Sequence, residues 1–191
     1  TISDLKGKKI GFSVGGFEEA LLSGMLQKYN LNMSDVDLVN INFSLSPSLI
    51  AKKVDAVIGA FRNFELNQMD IVNHPGRAFY PEEHGVPTYE ELIYIANQKN
   101  KNNPLFDKFF SAIQKATLTI INDPVSTWKD FSSYRKGLDD ELNKRAYKDT
   151  ISRFALRPQA HDIKTYKKFS NFLKRKGIIK KITKVETFAK P

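Results

Sequence analysis

Aromatic, amide and charged side chains crowd the segment GAFRNFE, residues 59–65, directly after a predicted strand. The run VDAVI before it is short, apolar and rich in β-branched residues, which is typical of a buried strand. Phe61 and Phe64 could form flat apolar walls, and Asn63 and Glu65 could hydrogen-bond the donors and acceptors of a heteroaromatic ring. The segment therefore predicts recognition of a flat, polar ring compound.

The same segment also fits the start of a helix. Asn63 would then be the N-cap residue, and Glu65 would lie where the helix dipole favours a carboxylate. Arg62 could pair with Glu65 or with an anionic group of a ligand. A helix start explains Asn63 and Glu65 but not two aromatic residues and an arginine, so we favour a binding site.

A second candidate follows the first predicted strand, where the sequence SVGGF, residues 13–17, leads into a helix. Gly15 and Gly16 let the backbone approach a partner closely, and free N–H groups at a helix start can hold an anion or a polar oxygen. The spacing matches neither the dinucleotide-binding fingerprint nor the P-loop, so a ligand-binding turn and a plain tight turn both stay open. The two segments would share the carboxyl ends of parallel strands, where open α/β sheets bind ligands.

Acid–base and metal chemistry are not indicated. Glu82, Glu83 and His84 are consecutive, and neighbours in an extended segment point in opposite directions. The other histidines, His74 and His161, have no metal-ligand spacing, and the chain has no cysteine. No serine stands in a G-x-S-x-G elbow. We therefore expect no metal ion, no cofactor and no catalytic residue.

Strand and helix patterns alternate through the first half of the chain. The short connections between them predict a parallel sheet with right-handed crossovers, and therefore an α/β fold. Ser46 is the predicted N-cap of the second helix, with Pro47 at its first position. The predicted strands are residues 9–14, 36–41, 54–60 and 91–96, and the predicted helices are residues 17–30, 46–53 and 63–74.

After Gln98 the pattern changes to amphipathic helices without strands. Their apolar faces are wide, and this half has no sheet of its own to cover them. We therefore predict an α/β lobe with a crossover strand at residues 1–98, and at residues 99–191 a helical part that belongs to a second, incomplete lobe. The helices are predicted to begin at Pro104 and Pro124 and to cover residues 138–155 and 163–177.

Two aromatic features of this half have a structural interpretation. Trp128 is predicted to be a core or interface anchor. In the last helix the apolar side chains share one face and the lysines share the other, which favours core packing over binding to a membrane surface or nucleic acid. The apolar face consists of Tyr166, Phe169, Phe172 and Leu173.

Charge is distributed unevenly along the chain. Residues 1–98 hold 8 Lys and Arg against 12 Asp and Glu, a net charge of −4, and residues 99–191 carry +13. A basic half suits nucleic acid or anionic lipid, but no base-stacking motif accompanies it, and lysines on solvated helix faces explain it. No apolar run approaches the roughly 18 residues that a membrane span needs. We expect no nucleic-acid partner.

The first residues, TISDLKGKKIGF, have neither the apolar core nor the cleavage site of a signal peptide. They lead straight into a predicted strand, as the interior of a protein would. We therefore interpret the chain as a piece of a longer polypeptide, whose first residues say nothing about its compartment.

Three stretches together resemble the substrate-binding proteins of ABC importers for thiamine precursors. They are DLKGKKIGFSVGGFEEALLSGMLQKYNL, VNINFSLSPSLIAKKVDAVIGAFRNFE and FYPEEHGVPTYEELIYIA. The patterns G-A-[FY]-R-N-[FY]-E and [FY]-[FY]-P-E-E-x-G-V-P-x-Y are specific to the pyrimidine-binding branch, and YKKFSNFLKRKGII is similar to the family's closing helix. The same superfamily includes alkanesulfonate-binding proteins and the fungal enzyme that makes the thiamine pyrimidine.

The resemblance implies a type II periplasmic-binding fold whose two lobes close on a formylaminopyrimidine or hydroxymethylpyrimidine. By match to the family, Gly15, Gly16 and Phe17 would offer backbone amides and a wall. Asn63 and Glu65 would read the ring nitrogen and the amino group of the pyrimidine.

The resemblance also implies further contacts and a partner. Tyr89 would stack on the pyrimidine or hydrogen-bond to it. The protein would pass the pyrimidine to an ABC permease, as a periplasmic protein or an extracytoplasmic lipoprotein, and would not be an enzyme.

Family members begin with a strand–helix portion that carries a D-W-x-P-N motif, and this sequence does not contain it. In the family that portion forms half of the cleft and the sheet under the C-terminal helices. We therefore predict exposed apolar helix faces and self-association.

The alternative of a thiamine-pyrimidine synthase is disfavoured, because that enzyme uses a pyridoxal-derived substrate, a histidine and a cysteine-rich loop. A third possibility, a module that binds anionic polymers, rests on the basic half alone.

Overall fold

A computed structural model of the chain describes residues 1–158, 160 and 162–189, so His161 lies outside the described residues. Three parallel strands and seven α-helices are found in this part of the chain. In chain order they are β1 (Lys9–Phe12), α1 (Phe17–Gln27), β2 (Asp37–Asn40), α2 (Leu45–Ile50), β3 (Ala56–Val57), α3 (Glu65–Ile71), α4 (Leu105–Asn122), α5 (Pro124–Tyr134), α6 (Glu141–Ile151) and α7 (Ile163–Arg175).

The described residues divide into two compact units. Unit 1 consists of residues 1–89 and 163–183 and contains the sheet, α1 to α3 and α7. Unit 2 consists of the described part of residues 90–162 and 184–191 and contains α4 to α6. None of the helices described is both long enough and apolar enough to cross a membrane.

The sheet has the strand order β2-β1-β3, with both pairings parallel, as the alternating pattern predicts. Gly11 in the central strand pairs with Val57 of β3. A side chain at this position would clash, because a Cβ would lie 2.7 Å from Ile41 Cδ1. Glycine here lets the next layer pack directly on the strand.

Apolar side chains cover both faces of the sheet. Successive strand residues point to opposite faces, and Ile10 therefore joins the larger core that α1 and α7 form. Its buried members are Ile2, Ile10, Leu21, Leu22, Met25, Leu26, Leu31, Ile58, Val86 and Phe172. A smaller core on the α2 side consists of Ile41, Leu45 and Val54.

Several predicted boundaries in unit 1 are wrong, among them the following three. The strand predicted at residues 54–60 pairs only at 56–57, since the chain turns away at Gly59, which has a φ of +94°. The second helix begins earlier than predicted, with Ser44 rather than Ser46 at its N-cap position. The first strand ends at Phe12, before the predicted Val14.

The strand predicted at residues 91–96 is absent. This segment has no regular secondary structure and pairs with no other described segment, and Leu92 and Ile95 are 83% and 88% exposed. Its run of β-branched and aromatic residues favours extended backbone, but a strand also needs a pairing partner. The prediction is therefore wrong because it considered only the local preference of these residues.

Helix α7 packs in unit 1, although the predicted division at Gln98 assigned it to the helical part. The predicted apolar face is confirmed, because Phe172 is buried in the larger core and Phe169 and Leu173 pack against it. The lysines opposite are exposed. Our assignment of the remaining helices to a second lobe stays a prediction.

Unit 2 holds three helices with a small aromatic cluster. Trp128 lies 5.3 Å from Tyr147 and 5.8 Å from Phe131, measured between ring centroids. Tyr147 also shares a 2.6 Å hydrogen bond with the Thr127 hydroxyl. Trp128 thus joins α5 to α6, in agreement with its predicted role as an anchor.

Candidate functional site

The three parallel strands end at one edge of the sheet of unit 1, and the segments that follow them form the candidate site. We call this surface the carboxyl edge and define it as residues 13–17, 41–44 and 58–65. A hydrogen bond of 3.0 Å joins two of these segments, with the Phe43 N–H donating to Ser13 Oγ. Six of the seven predicted ligand-binding residues belong to this edge: Gly15, Gly16, Phe17, Phe61, Asn63 and Glu65.

The turn between β1 and α1 is filled by the chain's own carboxylates. Glu18 Oε2 accepts the N–H groups of Ser13 and Val14 at 2.7 and 3.1 Å, and Glu19 Oε2 accepts that of Gly16 at 2.9 Å. These three N–H groups are not available to a ligand while both carboxylates stay in place. A plain tight turn, one of the two interpretations that the sequence left open, accounts for these contacts. A ligand-binding role for Gly15 and Gly16 stays a prediction.

Glu18 also connects the first and third segments of the edge. Its side chain is only 7% exposed, and a Cβ on Gly59 would lie 2.3 Å from Glu18 Oε1. Glycine is therefore needed at position 59 for two reasons. A side chain would clash with Glu18, and the φ of +94° is a conformation that other residues rarely adopt. The buried carboxylate thus fixes where the segment after β3 leaves the sheet.

The segment GAFRNFE forms both a turn and a helix start. Glu65 Oε2 accepts the Phe61 N–H at 2.7 Å, and α3 begins at Glu65. Asn63 is not the N-cap residue, so that prediction is wrong: the N-cap position belongs to Phe64, and the Asn63 carbonyl accepts a hydrogen bond from Asn67 Nδ2 at 3.1 Å. The Glu65 side chain reaches back over the turn to the Phe61 N–H, and α3 has no side-chain cap hydrogen bond.

Both phenylalanines of this segment remain accessible. Phe61 is 43% exposed and Phe64 is 36% exposed. Glu65 still has acceptor capacity, because a carboxylate offers about four lone-pair positions and the Phe61 N–H takes one. Flat apolar surface and hydrogen-bond acceptors therefore lie together at the carboxyl edge.

Arg62 pairs with Glu82 rather than with Glu65. Its guanidinium forms two parallel bonds to the Glu82 carboxylate, with Nη1–Oε1 at 2.9 Å and Nη2–Oε2 at 3.1 Å. The same group lies 3.9 Å above the centre of the Tyr80 ring. The hydrogen bond to Glu82 raises the pKa of Arg62 above its usual value. Through these contacts with Tyr80 and Glu82, Arg62 joins the FYPEEHG segment, residues 79–85, to the carboxyl edge.

Tyr89 and Phe17, both predicted to line the site, meet in an aromatic cluster with α7. Tyr89 stacks on Phe169 at a centroid distance of 4.4 Å and an interplanar angle of 12°. Phe17 meets the edge of Tyr89 at 5.8 Å. All three side chains are half-buried, so they contribute to the packing of α7 whether or not they contact a ligand.

The carboxylates and the histidine of YPEEHG do not converge, as the sequence predicts. Glu82 binds Arg62, while His84 Nδ1 lies 2.7 Å from the Tyr29 hydroxyl. Within residues 1–158, 160 and 162–189, no group of three or more His, Cys, Asp or Glu side chains is arranged to hold a metal ion.

Two residues at this surface were not predicted from the sequence. Phe43 belongs to the carboxyl edge, and Glu18 directly follows its first segment, residues 13–17. Glu18 stands one position inside a helix, where an acidic residue is ordinary, and only the three-dimensional contacts reveal its burial. Phe43 follows Asn42 between a strand and a helix, and both residues have positive φ, 46° and 63°. The asparagine is the signal that could have indicated this left-handed turn.

The fold is that of the periplasmic binding proteins. It matches the alkanesulfonate-binding protein SsuA from Xanthomonas axonopodis pv. citri, solved with MOPS bound, with a TM-score of 0.67 over 98% of this chain and 64% of that one. The sequence identity is 17%, so this likeness concerns the fold alone.

Sequence similarity defines the family. The chain belongs to the NMT1/THI5-like family, whose pattern matches residues 1–127. It is 45% identical over 190 residues to a Haemophilus influenzae protein named for thiamine biosynthesis. It is 27% identical over 191 residues to the 4-amino-5-hydroxymethyl-2-methylpyrimidine phosphate synthase of Schizosaccharomyces pombe, and 27% identical over 124 residues to the formylaminopyrimidine-binding protein of Halalkalibacterium halodurans.

These matches cover most of the chain but only part of the relatives. The three alignments include 99%, 92% and 64% of this chain, respectively. They span 60%, 54% and 38% of the relatives' own lengths. The family resemblance seen in the sequence is confirmed.

Proposed function

We infer that this chain belongs to the solute-binding component of an ABC importer and that its carboxyl edge binds a thiamine-precursor aminopyrimidine. The proposal rests on one observation. Exposed Phe61 and Phe64 and the Glu65 carboxylate lie in the same short segment, at the ends of parallel strands. An aminopyrimidine is flat, and its amino group donates hydrogen bonds that a carboxylate accepts. A relative named as a formylaminopyrimidine-binding protein supports the choice of ring.

The charges around the edge favour an uncharged pyrimidine over an anion. The carboxylates of Glu18, Glu19 and Glu65 border the surface, and the one cation within residues 13–17, 41–44 and 58–65 is Arg62, which Glu82 neutralises. Like charges repel strongly where water is partly excluded. A phosphate or sulfonate would therefore find no cationic partner here that is not already paired.

Calorimetric titration of the chain tests this proposal. We expect 4-amino-5-hydroxymethyl-2-methylpyrimidine to bind, and its phosphate, pyridoxal phosphate and MOPS to bind more weakly or not at all. Glu65→Gln keeps an oxygen for the Phe61 N–H but removes the charge, so pyrimidine binding should weaken about tenfold or more. Asp37→Asn, at the opposite edge of the sheet, is the matched control and should bind normally.

Tighter binding of pyridoxal phosphate than of the free pyrimidine would overturn the proposal. It would favour the alternative, a pyrimidine synthase, which the names of the fungal relatives suggest. Equal binding by Glu65→Gln and the unaltered chain would remove Glu65 from the site.

The importer role, with an ABC permease as partner and an extracytoplasmic location, is tested in cells. Disruption of the gene should abolish uptake of labelled pyrimidine while pyrimidine synthesis continues. A requirement for added pyrimidine, combined with normal uptake, would indicate a synthase instead.

A further inference from the structure

Phe43 occupies a backbone conformation that suits glycine. Residues 41–44 form a tight turn in which the Ser44 N–H donates to the Ile41 carbonyl at 2.9 Å, and both central residues, Asn42 and Phe43, have positive φ. Turns of type I′ require this, and they strongly prefer Asn-Gly at the two central positions. Asn42 follows that preference, whereas Phe43 replaces the glycine with a bulky side chain.

The surroundings hold this conformation in place. The Phe43 N–H donates to Ser13 Oγ at 3.0 Å, and the Asn42 N–H donates to Asn40 Oδ1 at 3.0 Å. The turn is anchored on both sides by the buried side chains of Ile41 and Leu45. The backbone is therefore fixed from several directions, as a strained residue requires if it is to persist.

The ring itself contributes little to the packing of unit 1. Phe43 is 71% exposed, and it belongs to neither hydrophobic core. It is also the one aromatic residue with positive φ among those described; the other non-glycine residues in this conformation are Asn30, Asn42, Lys52 and Asn73. Folding alone gives no reason for a phenyl group at this position.

We propose that Phe43 is a ligand-contacting residue whose ring stacks on the flat heteroaromatic ring bound at the carboxyl edge. This inference rests on the proposed function. The turn presents the ring at the end of β2, on the same edge that carries Phe61 and Phe64 after β3. Aromatic rings attract one another in offset-stacked and edge-to-face arrangements, and a side chain on a fixed backbone loses less freedom on binding than one on a mobile loop.

Calorimetric titration with 4-amino-5-hydroxymethyl-2-methylpyrimidine tests the inference. Phe43→Gly removes the ring but fits the positive φ, so the chain should fold while its affinity falls about tenfold or more. Lys52→Gly is the matched control, because Lys52 also has positive φ (54°) and is exposed but follows α2 at the other end of that helix. Its affinity should stay within about twofold of the unaltered chain.

A fluorescence titration gives a second readout that does not depend on comparing affinities. Phe43→Trp in a Trp128→Phe background leaves the introduced indole as the one tryptophan of the chain. Its emission should change on addition of the pyrimidine, and affinity should be retained, since a ring is still present.

The outcomes separate this inference from the function on which it rests. If the unaltered chain and Phe43→Gly bind the pyrimidine equally well, Phe43 is not a contact, while the carboxyl edge remains a candidate site. Unchanged indole emission during binding would lead to the same conclusion. If the unaltered chain does not bind the pyrimidine, the proposed function fails and this inference fails with it.

Discussion

At the scale of single residues, Glu18 helps to shape the candidate site. The carboxylate is buried, and it replaces water as the partner of two N–H groups at the end of β1. A buried charge is tolerated only where hydrogen bonds satisfy it. Here the N-terminus of α1 also lies close by and favours a negative charge.

Removal of this carboxylate should destabilise unit 1. Glu18→Ala leaves the Ser13 and Val14 N–H groups without their acceptor, and we expect a loss of about 2–3 kcal/mol in the free energy of unfolding. Glu18→Gln keeps an acceptor oxygen and should cost less. Urea unfolding followed by far-UV circular dichroism measures both changes.

Trp128 fluorescence supplies the control for this measurement, because Trp128 belongs to unit 2. Its transition should not move in either variant. Equal stability of Glu18→Ala and the unaltered chain would show that the carboxylate does not organise the turn.

At the scale of elements, α1 and α7 pack closely against each other. Phe172 of α7 lies directly over Gly24 of α1, where a Cβ would be 2.8 Å from the ring. Nearby, Lys176 Nζ donates to Ser23 Oγ at 3.0 Å and to Gln27 Oε1 at 2.6 Å. Partial burial lowers the pKa of Lys176. The last helix of unit 1 is thus held by shape and by polar contacts.

Gly24→Ala should therefore destabilise unit 1, although alanine is the better helix former by about 1 kcal/mol. The added methyl group forces the buried Phe172 ring to move, and overpacking of a core costs about 1–3 kcal/mol. A Phe172→Leu background removes the closest contact, although Val86 Cγ2 would still lie 3.2 Å from the added Cβ, so the same change should cost less there. Urea unfolding of the four proteins gives the comparison, and a stabilising effect in both backgrounds would contradict the packing described.

Some elements were predictable from the sequence and others were not. Helix α1 and the apolar face of α7 follow from helical spacing, which is local information. The two-residue length of β3 and the absence of a strand at 91–96 depend on which segments pair, and pairing is not local. The sequence pointed to the carboxyl edge through Gly15 and the aromatic segment after β3.

Partners distant in sequence could not be predicted for the site. Arg62 binds Glu82, twenty positions away, and no local rule selects that carboxylate over Glu65. The burial of Glu18 depends on Gly59, which approaches from the segment after β3. Asn42 could have indicated a left-handed turn, but the positive φ of Phe43 itself could not be predicted, because a phenylalanine rarely adopts it.

Exposed apolar residues of unit 2 matter at the scale of the whole molecule. Leu92, Ile93, Tyr94 and Ile95 are consecutive in a segment without regular secondary structure, and all four are at least 57% exposed. Apolar residues on α4 are also accessible, as predicted. A contiguous exposed apolar patch favours association with other chains.

We predict that the chain self-associates through residues 92–95. Sedimentation velocity at micromolar concentration should show species larger than the 21.8 kDa monomer. Ile93→Lys combined with Ile95→Lys should shift the chain toward the monomer, because charge opposes association. Val125→Lys, at another exposed apolar residue of unit 2, is the control and should have little effect. A clean monomer of the unaltered chain would refute this prediction.

We expect the ends of the three parallel strands to form the ligand-binding surface of this chain. Amide NMR spectra recorded during titration with 4-amino-5-hydroxymethyl-2-methylpyrimidine show which residues the ligand affects. We expect shifts at residues 13–17, 41–44 and 58–65, and none at Lys9 or Asp37 at the opposite edge of the sheet. Shifts confined to that opposite edge or to unit 2 would contradict the claim.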